Sequence, residues 1–258
     1  MSARIAVQRM IGGAAGYRGP IALALVVMLA GELLLRMSGG DSTALVSLLD
    51  VVLIVTPLAG LVLGTTRVHH ARDVIELLLA QPVSRRRVFF SLWLRDTVPL
   101  ALALALGVIA PFVWHGSVSA MALALAGAAA LLAVISQTLA YVIALRQDDR
   151  VRALVTALAV WLTAAVIWDG MLLLLALLLA DRPIEGTMLA LLAINPVDLV
   201  RVLMLLGSDA AAMLGYTGAV VSRALGTTTG RAALGAILAL WLTVPIWVAA
   251  RQFGRKDF

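Results

Sequence analysis

Six apolar runs of membrane-spanning length, set apart by polar stretches, constrain this chain more than any other feature. They fall at about residues 20–36, 44–66, 97–114, 121–145, 153–180 and 232–250. A run of roughly 20 apolar residues crosses the ~30 Å hydrocarbon layer as a helix, because only a helix satisfies every backbone polar group within the segment. The expected fold class is therefore all-α, a polytopic membrane protein with six transmembrane helices. Thr56-Pro57 marks a kink in the second. A hydrophobic share of 62% and a mean hydropathy of +1.04, against about 45–50% apolar residues in soluble domains, exclude an ordinary soluble domain. We expect residues 1–258 to form a single transmembrane domain.

The net charge of +6 and pI near 10.9 suggest nucleic acid only until the cations are counted by loop. Fifteen of the twenty Lys and Arg residues fall in the N-terminus, the 67–96 stretch, the 146–152 loop and the tail. Arg36, Arg182, Arg201, Arg223 and Arg231 fall on the other side. The positive-inside rule then places both termini in the cytoplasm. No nucleic-acid partner is expected. Residues 1–19 carry Arg4, Arg9 and Arg18 opposite Val7, Met10, Ile11 and Ala14, which predicts an amphipathic interfacial helix on the bilayer surface. The Ala, Leu and Arg usage, with Lys256 the sole lysine, suggests a bacterial cytoplasmic (inner) membrane.

The 67–96 stretch is the largest polar interruption. From Val68 to Ala80 the apolar residues Val68, Ala71, Val74, Ile75, Leu78 and Leu79 recur at helical spacing, and His69, Arg72, Asp73 and Glu76 take the other face. That predicts an amphipathic helix about 20 Å long. Pro82 ends it. Ser84 is placed to cap a second helix, whose first turn carries Arg85, Arg86 and Arg87. Cations there oppose the helix dipole, so lipid phosphate, topology or a docked acidic partner must account for them.

The run Glu76-Leu77-Leu78-Leu79-Ala80-Gln81-Pro82-Val83-Ser84-Arg85 resembles the cytoplasmic segment between the second and third spans of type-2 ABC transporter permeases. Where that family often carries a Gly-Thr pair, Asp73-Val74-Ile75 stands here. The resemblance implies a coupling helix that docks on a separate cytoplasmic ATPase, with Arg72, Asp73, Glu76, Gln81, Pro82, Ser84, Arg85 and Arg86 as the coupling residues. ATP and Mg would be held by that partner, and this chain would bind no cofactor.

Residues 181–230 form a semi-polar external region before the last span. Asn195-Pro196-Val197-Asp198-Leu199-Val200-Arg201 opens with a capping residue, a proline suited to the first helical position, an acid in the first turn and a cation three residues on. This predicts an external or re-entrant helix. Together with Leu203-Met204-Leu205-Leu206-Gly207, Trp241, Pro245 and the ending Phe253-Gly254-Arg255-Lys256-Asp257, it resembles the NosY-like permeases of nitrous oxide reductase maturation. That resemblance implies a homodimer, a periplasmic partner meeting Asn195, Pro196, Asp198 and Arg201, and service to a copper–sulfur centre. A drug, lipid or polysaccharide exporter is the first alternative. A mechanotransmitter that drives an external protein without moving solute is the second.

No P-loop pattern, H-E-x-x-H or G-x-S-x-G is present, so no catalytic residue is expected and ATP hydrolysis belongs to another subunit. The absence of cysteine excludes disulfides, thiol catalysis and thiolate metal sites. His69, His70, His115 and the scattered methionines show no ligand spacing, so no metal site is expected. Acids inside spans are costly and are candidates for function. Glu32, Asp50 and Asp169 are candidates for lining an outward-facing vestibule; the plainer readings are a Glu32–Arg36 pair, a headgroup-level Asp50 and an interhelical bond for Asp169. Gln137 in the fourth span is expected to make an interhelical hydrogen bond, and Asp148-Asp149 to form a solvated loop or a second contact for the ATPase.

Overall fold

The computed structural model describes residues 17–178, 185–206 and 228–256. In chain order its helices are α1 (Arg18–Met37), α2 (Asp41–His70), α3 (Arg72–Leu79), α4 (Arg85–Trp114), α5 (Ala120–Arg146), α6 (Arg150–Leu162), α7 (Trp168–Leu178), α8 (Glu185–Ile194), α9 (Pro196–Leu206) and α10 (Thr228–Arg255). A π-helical turn, Thr163–Ile167, joins α6 to α7 without a break. Among the described residues six stretches are long and apolar enough to cross a membrane: α1, α2, α4, α5, α6 running into α7, and α10. The chain is an all-α polytopic membrane protein, as its hydropathy predicts. The predicted interfacial helix falls almost wholly on residues 1–16, outside the described residues; so do Arg182 and the whole 207–227 segment with Arg223.

Two helices are longer than a bilayer needs. Thirty residues at about 1.5 Å each span about 45 Å, against a hydrocarbon layer of ~30 Å, and α2 and α4 each have 30. Their surplus lies on one side, where α3 connects them. The 147–149 turn and Lys256 lie at this arginine-rich end; the 38–40 and 115–119 turns lie at the opposite end.

Lipid is as apolar as leucine, so close packing and interhelical hydrogen bonds must hold such a bundle together. The closest seam runs between α2 and α5. Gly60 and Gly64, four apart, let the backbones meet: a Cβ at Gly60 would stand 2.5 Å from Ser136 Oγ, and one at Gly64 would collide with Ala140 Cβ. Around this seam Leu48, Val52, Leu53, Leu100, Leu104 and Phe112 are fully buried. The fifth span is the opposite case, with 6% of its apolar window buried against 61% in α5.

Several expectations are corrected. The amphipathic helix starts at Arg72 rather than Val68, because α2 runs on to His70 and the chain turns at Ala71. That turn keeps Val68, Ala71 and Ile75 in one buried cluster. The third span is the upper part of a single helix that starts at Arg85. Gln137 is fully buried, yet neither amide atom has a hydrogen-bond partner; it lies against Gly64, which has no side chain to offer it.

Candidate functional site

At the arginine-rich end α3 is seated by its apolar face. Ile75 is 2% exposed in a cluster with Val68, Val88, Phe89, Leu92, Tyr141 and Phe253. Phe89 is its aromatic centre, edge-on to Tyr141 with centroids 6.1 Å apart and 5.7 Å from Phe253. This cluster lies toward water, where burying a side chain such as Ile or Phe is worth about 1.5–3 kcal/mol, and it draws on α2, α3, α4, α5 and α10 at once.

The polar face of α3 divides. Arg72 turns inward, donating to the Gln147 carbonyl at 2.9 Å and to Asp148 Oδ1 at 3.2 Å. Lys256 Nζ donates to the same Asp148 oxygen at 2.8 Å and to the Leu145 carbonyl at 2.9 Å. Arg85 Nη1 donates to the Lys256 carbonyl at 2.7 Å. Arg72 and Arg85 thus belong to one network with the 147–148 turn and the tail. Its Lys256 ammonium, and less strongly Arg72, hold the Asp148 carboxyl below the usual carboxylate range. Asp73, Glu76, Gln81, Pro82 and Arg86 face outward, and among the described residues Asp73, Glu76 and Arg86 form no ion pair. Leu77, beside Glu76, is 62% exposed. Ser84 stands at the cap position of α4, but its side chain makes no cap bond; its carbonyl takes the Arg87 and Val88 amides instead. Asp149 is not a merely solvated residue, since its Oδ1 accepts the Val151 amide and caps α6.

Above this surface lies a charged cluster that the sequence reading missed. Asp96 is 3% exposed. Its carboxylate accepts from Arg95 Nε at 2.9 Å and from the Tyr141 hydroxyl at 2.6 Å, and Arg67 Nη1 stands 3.6 Å away. Arg67 also donates to the Asp96 carbonyl at 3.3 Å. One acid therefore ties α2, α4 and α5. The available signal was an acid opening the third apolar run, directly after an arginine.

The second polar constellation is a helical hairpin, α8 and α9, whose tip is Asn195. Asn195 Oδ1 accepts the Val197 amide at 3.0 Å, so it caps α9 as expected, with Pro196 first and Asp198 in the first turn. Residues 195–200 are all buried, and Val197, Leu199 and Val200 belong to the main core. Trp241 donates to the Ala193 carbonyl at 3.1 Å. Trp241 lies 14 residues before the end of α10, about 21 Å along the helix, so the tip reaches deep into the bundle.

Arg201 and Asp198 pair at 2.9 Å, as their spacing predicts. Arg201 Nη1 also donates to both carboxylate oxygens of Asp169 at 2.8 Å. Asn195 Nδ2 donates to Asp198 Oδ2 at 3.0 Å and to the Ala164 carbonyl, inside the π turn, at 2.7 Å. The candidate partner residues and the candidate vestibule acid are therefore one site joining the hairpin to the fifth span. Asp198 lies in the hairpin and in none of the six spans. Burial, and next the Asp169 carboxylate, push it up to about 7.

The other two vestibule candidates divide. Glu32 pairs with Arg36 at 2.7 Å and with His115 Nε2 at 2.9 Å, closing the opposite end. Asp50 is exposed on α2, near enough to act on the Arg201 charge.

Two comparisons bear on this arrangement. The model of a family described as ABC-2 family transporter protein matches residues 69–258. The probable ABC transporter permease protein NosY of Pseudomonas aeruginosa is 30% identical over 197 residues, an alignment covering 70% of this chain and 67% of that protein.

Proposed function

Because this chain belongs to the ABC-2 family of transporter proteins and is a permease subunit of an ABC transporter, we propose that α3 and the turn after it dock on a separate cytoplasmic ATPase. The observation that carries the reading is the seating of α3. Its outward face presents Asp73, Glu76 and Leu77, followed by Gln81, Pro82, Ser84, Arg85 and Arg86, while Ile75 anchors it to a cluster drawn from four spans. A push on that face is a push on the whole bundle. ATP and Mg belong to the partner, and this chain contributes no catalytic residue. Both termini lie in the cytoplasm of a bacterium, and two copies of the chain form the membrane unit.

The cargo is proposed on narrower grounds. The likeness to the NosY permease, together with the capped N-P-x-D-x-x-R hairpin, favours service to copper–sulfur centre assembly in nitrous oxide reductase. A periplasmic partner would then meet the outer end, near Asn195, Pro196, Asp198 and Arg201. The mechanotransmitter reading has one specific observation in its favour: the hairpin fills the interior of the bundle with Leu199 and Val200. Stimulated turnover that survives Asp169→Asn supports it; a dimer-interface cavity that binds solute supports transport.

The test is affinity purification of the chain with its ATPase, comparing wild type with Glu76→Ala and Arg85→Ala. Loss of a centrally placed contact is expected to weaken association about tenfold, or 1.4 kcal/mol, with membrane insertion unchanged. Wild-type complex and wild-type stimulated turnover in both variants would remove the coupling claim.

A further inference from the structure

A coupling helix of eight residues, hung by short turns between two long helices, is free to tilt alone unless something else closes the frame. Two observations show what closes it. At the base, Ile75 shares a buried cluster with Phe89 and Tyr141. One level up, the Tyr141 hydroxyl is held by Asp96, and Asp96 is held by Arg67, three residues before the end of α2. The path from α3 thus passes through α4 and α5 and returns to the helix that leads into α3. Asp96 and Tyr141 are each 3% exposed, and opening the pair leaves a buried hydroxyl without its hydrogen-bond partner. A frame closed this way moves between discrete arrangements and does not flex continuously.

We propose that Asp96 is the positioning residue of this transmission, binding the arginine-rich ends of the second, third and fourth spans into one body that follows α3. The proposal rests on the coupling reading above. It gives the membrane half of the machine a residue that touches neither the ATPase nor any cargo, yet sets how much of the nucleotide-driven motion passes upward.

The chain has no cysteine, so introduced thiols are its only labelling sites. Spin labels at Leu94→Cys, on α4, and Met37→Cys, at the opposite end, are read in the complex with its co-purified ATPase, with and without a non-hydrolysable ATP analogue. In Tyr141→Phe, which keeps the ring and its packing, and in Asp96→Asn, ATPase binding is expected to stay within about twofold while the nucleotide-driven distance change falls about fivefold or more. Asp96→Glu, which keeps the charge, is expected to restore at least part of it. Wild-type movement in Tyr141→Phe and Asp96→Asn overturns the proposal. So does a parallel loss of thermal stability and ATPase binding in Tyr141→Phe, the mark of a merely structural role. Should Asp96→Asn fail to fold, Tyr141→Phe decides alone. The coupling reading fails separately, if Glu76→Ala retains both the ATPase and the movement.

Discussion

The two buried ion clusters invert one another. At the arginine-rich end one carboxylate, Asp96, meets two guanidinium groups, Arg67 and Arg95. At the hairpin one guanidinium, Arg201, meets two carboxylates, Asp169 and Asp198. The first has more positive charge than its acid needs, and a phenol completes it. The second carries one negative charge in excess, and burial beside the Asp169 carboxylate favours the protonated form of Asp198. Both bind helices distant in sequence, but one is built as a fixed joint and the other as a joint that responds to pH. The fixed joint lies where motion would enter from an ATPase, and the titratable one lies where a hairpin meets the least buried span.

The largest effect expected from breaking this contrast is that of Asp96→Ala. It removes the carboxylate that Arg95 and the Tyr141 hydroxyl bond and that Arg67 pairs with, and loss of one partner from a buried pair costs about 3–5 kcal/mol. Because Arg67 and Arg95 retain 17% and 22% exposure, the lower end is expected. Thermal unfolding of the purified protein measures it, and a loss under about 1 kcal/mol, no more than a surface pair, would show that the cluster is not a joint.

The pH response comes next. A folded state that holds the Asp198 proton more tightly than the unfolded chain gains stability fully below the ordinary carboxylate value of 3.8. That gain is lost as the pH rises through about 7. The melting temperature should therefore fall between about pH 4 and 7, and Asp198→Asn should flatten that fall. A slope unchanged in Asp198→Asn would place the titration elsewhere. The smallest effect of the three is Asn195→Ala. It removes the α9 cap, worth about 1 kcal/mol, together with the bridge from Asp198 to the π turn. Unfolding at pH 7 reads it, and no change would mean that the tip is held by packing alone.

How far the sequence reached depends on the range of the interaction concerned. Spans follow from hydropathy, and the α9 start follows from Asn195, Pro196 and Asp198, because caps and dipoles act within one turn. The amphipathic face of α3 was legible for the same reason, although its start at Arg72 was not, since a turn that preserves burial leaves no mark in the periodicity. The Asp169–Arg201 pair joins residues 32 apart, and Asp96–Tyr141 joins residues 45 apart; neither spacing carries a local signal. Asp96 was hidden by its position at the edge of a charged stretch, where a solvated acid is unremarkable. Gly60 and Gly64 did carry a signal, two small residues four apart in an apolar run. Ser84 had the right residue type at the right place, and the α4 backbone supplied its own bonds instead.

The most direct test of the central claim, that α3 docks on an ATPase, uses Leu77, the exposed apolar residue beside Glu76. A photocross-linking residue placed there, in native membranes, is predicted to form an adduct with an ABC ATPase, while the same residue at Leu106, exposed in the middle of α4, captures only lipid or other membrane-embedded chains. An ATPase adduct absent at Leu77, with the chain inserted and folded, would contradict the account.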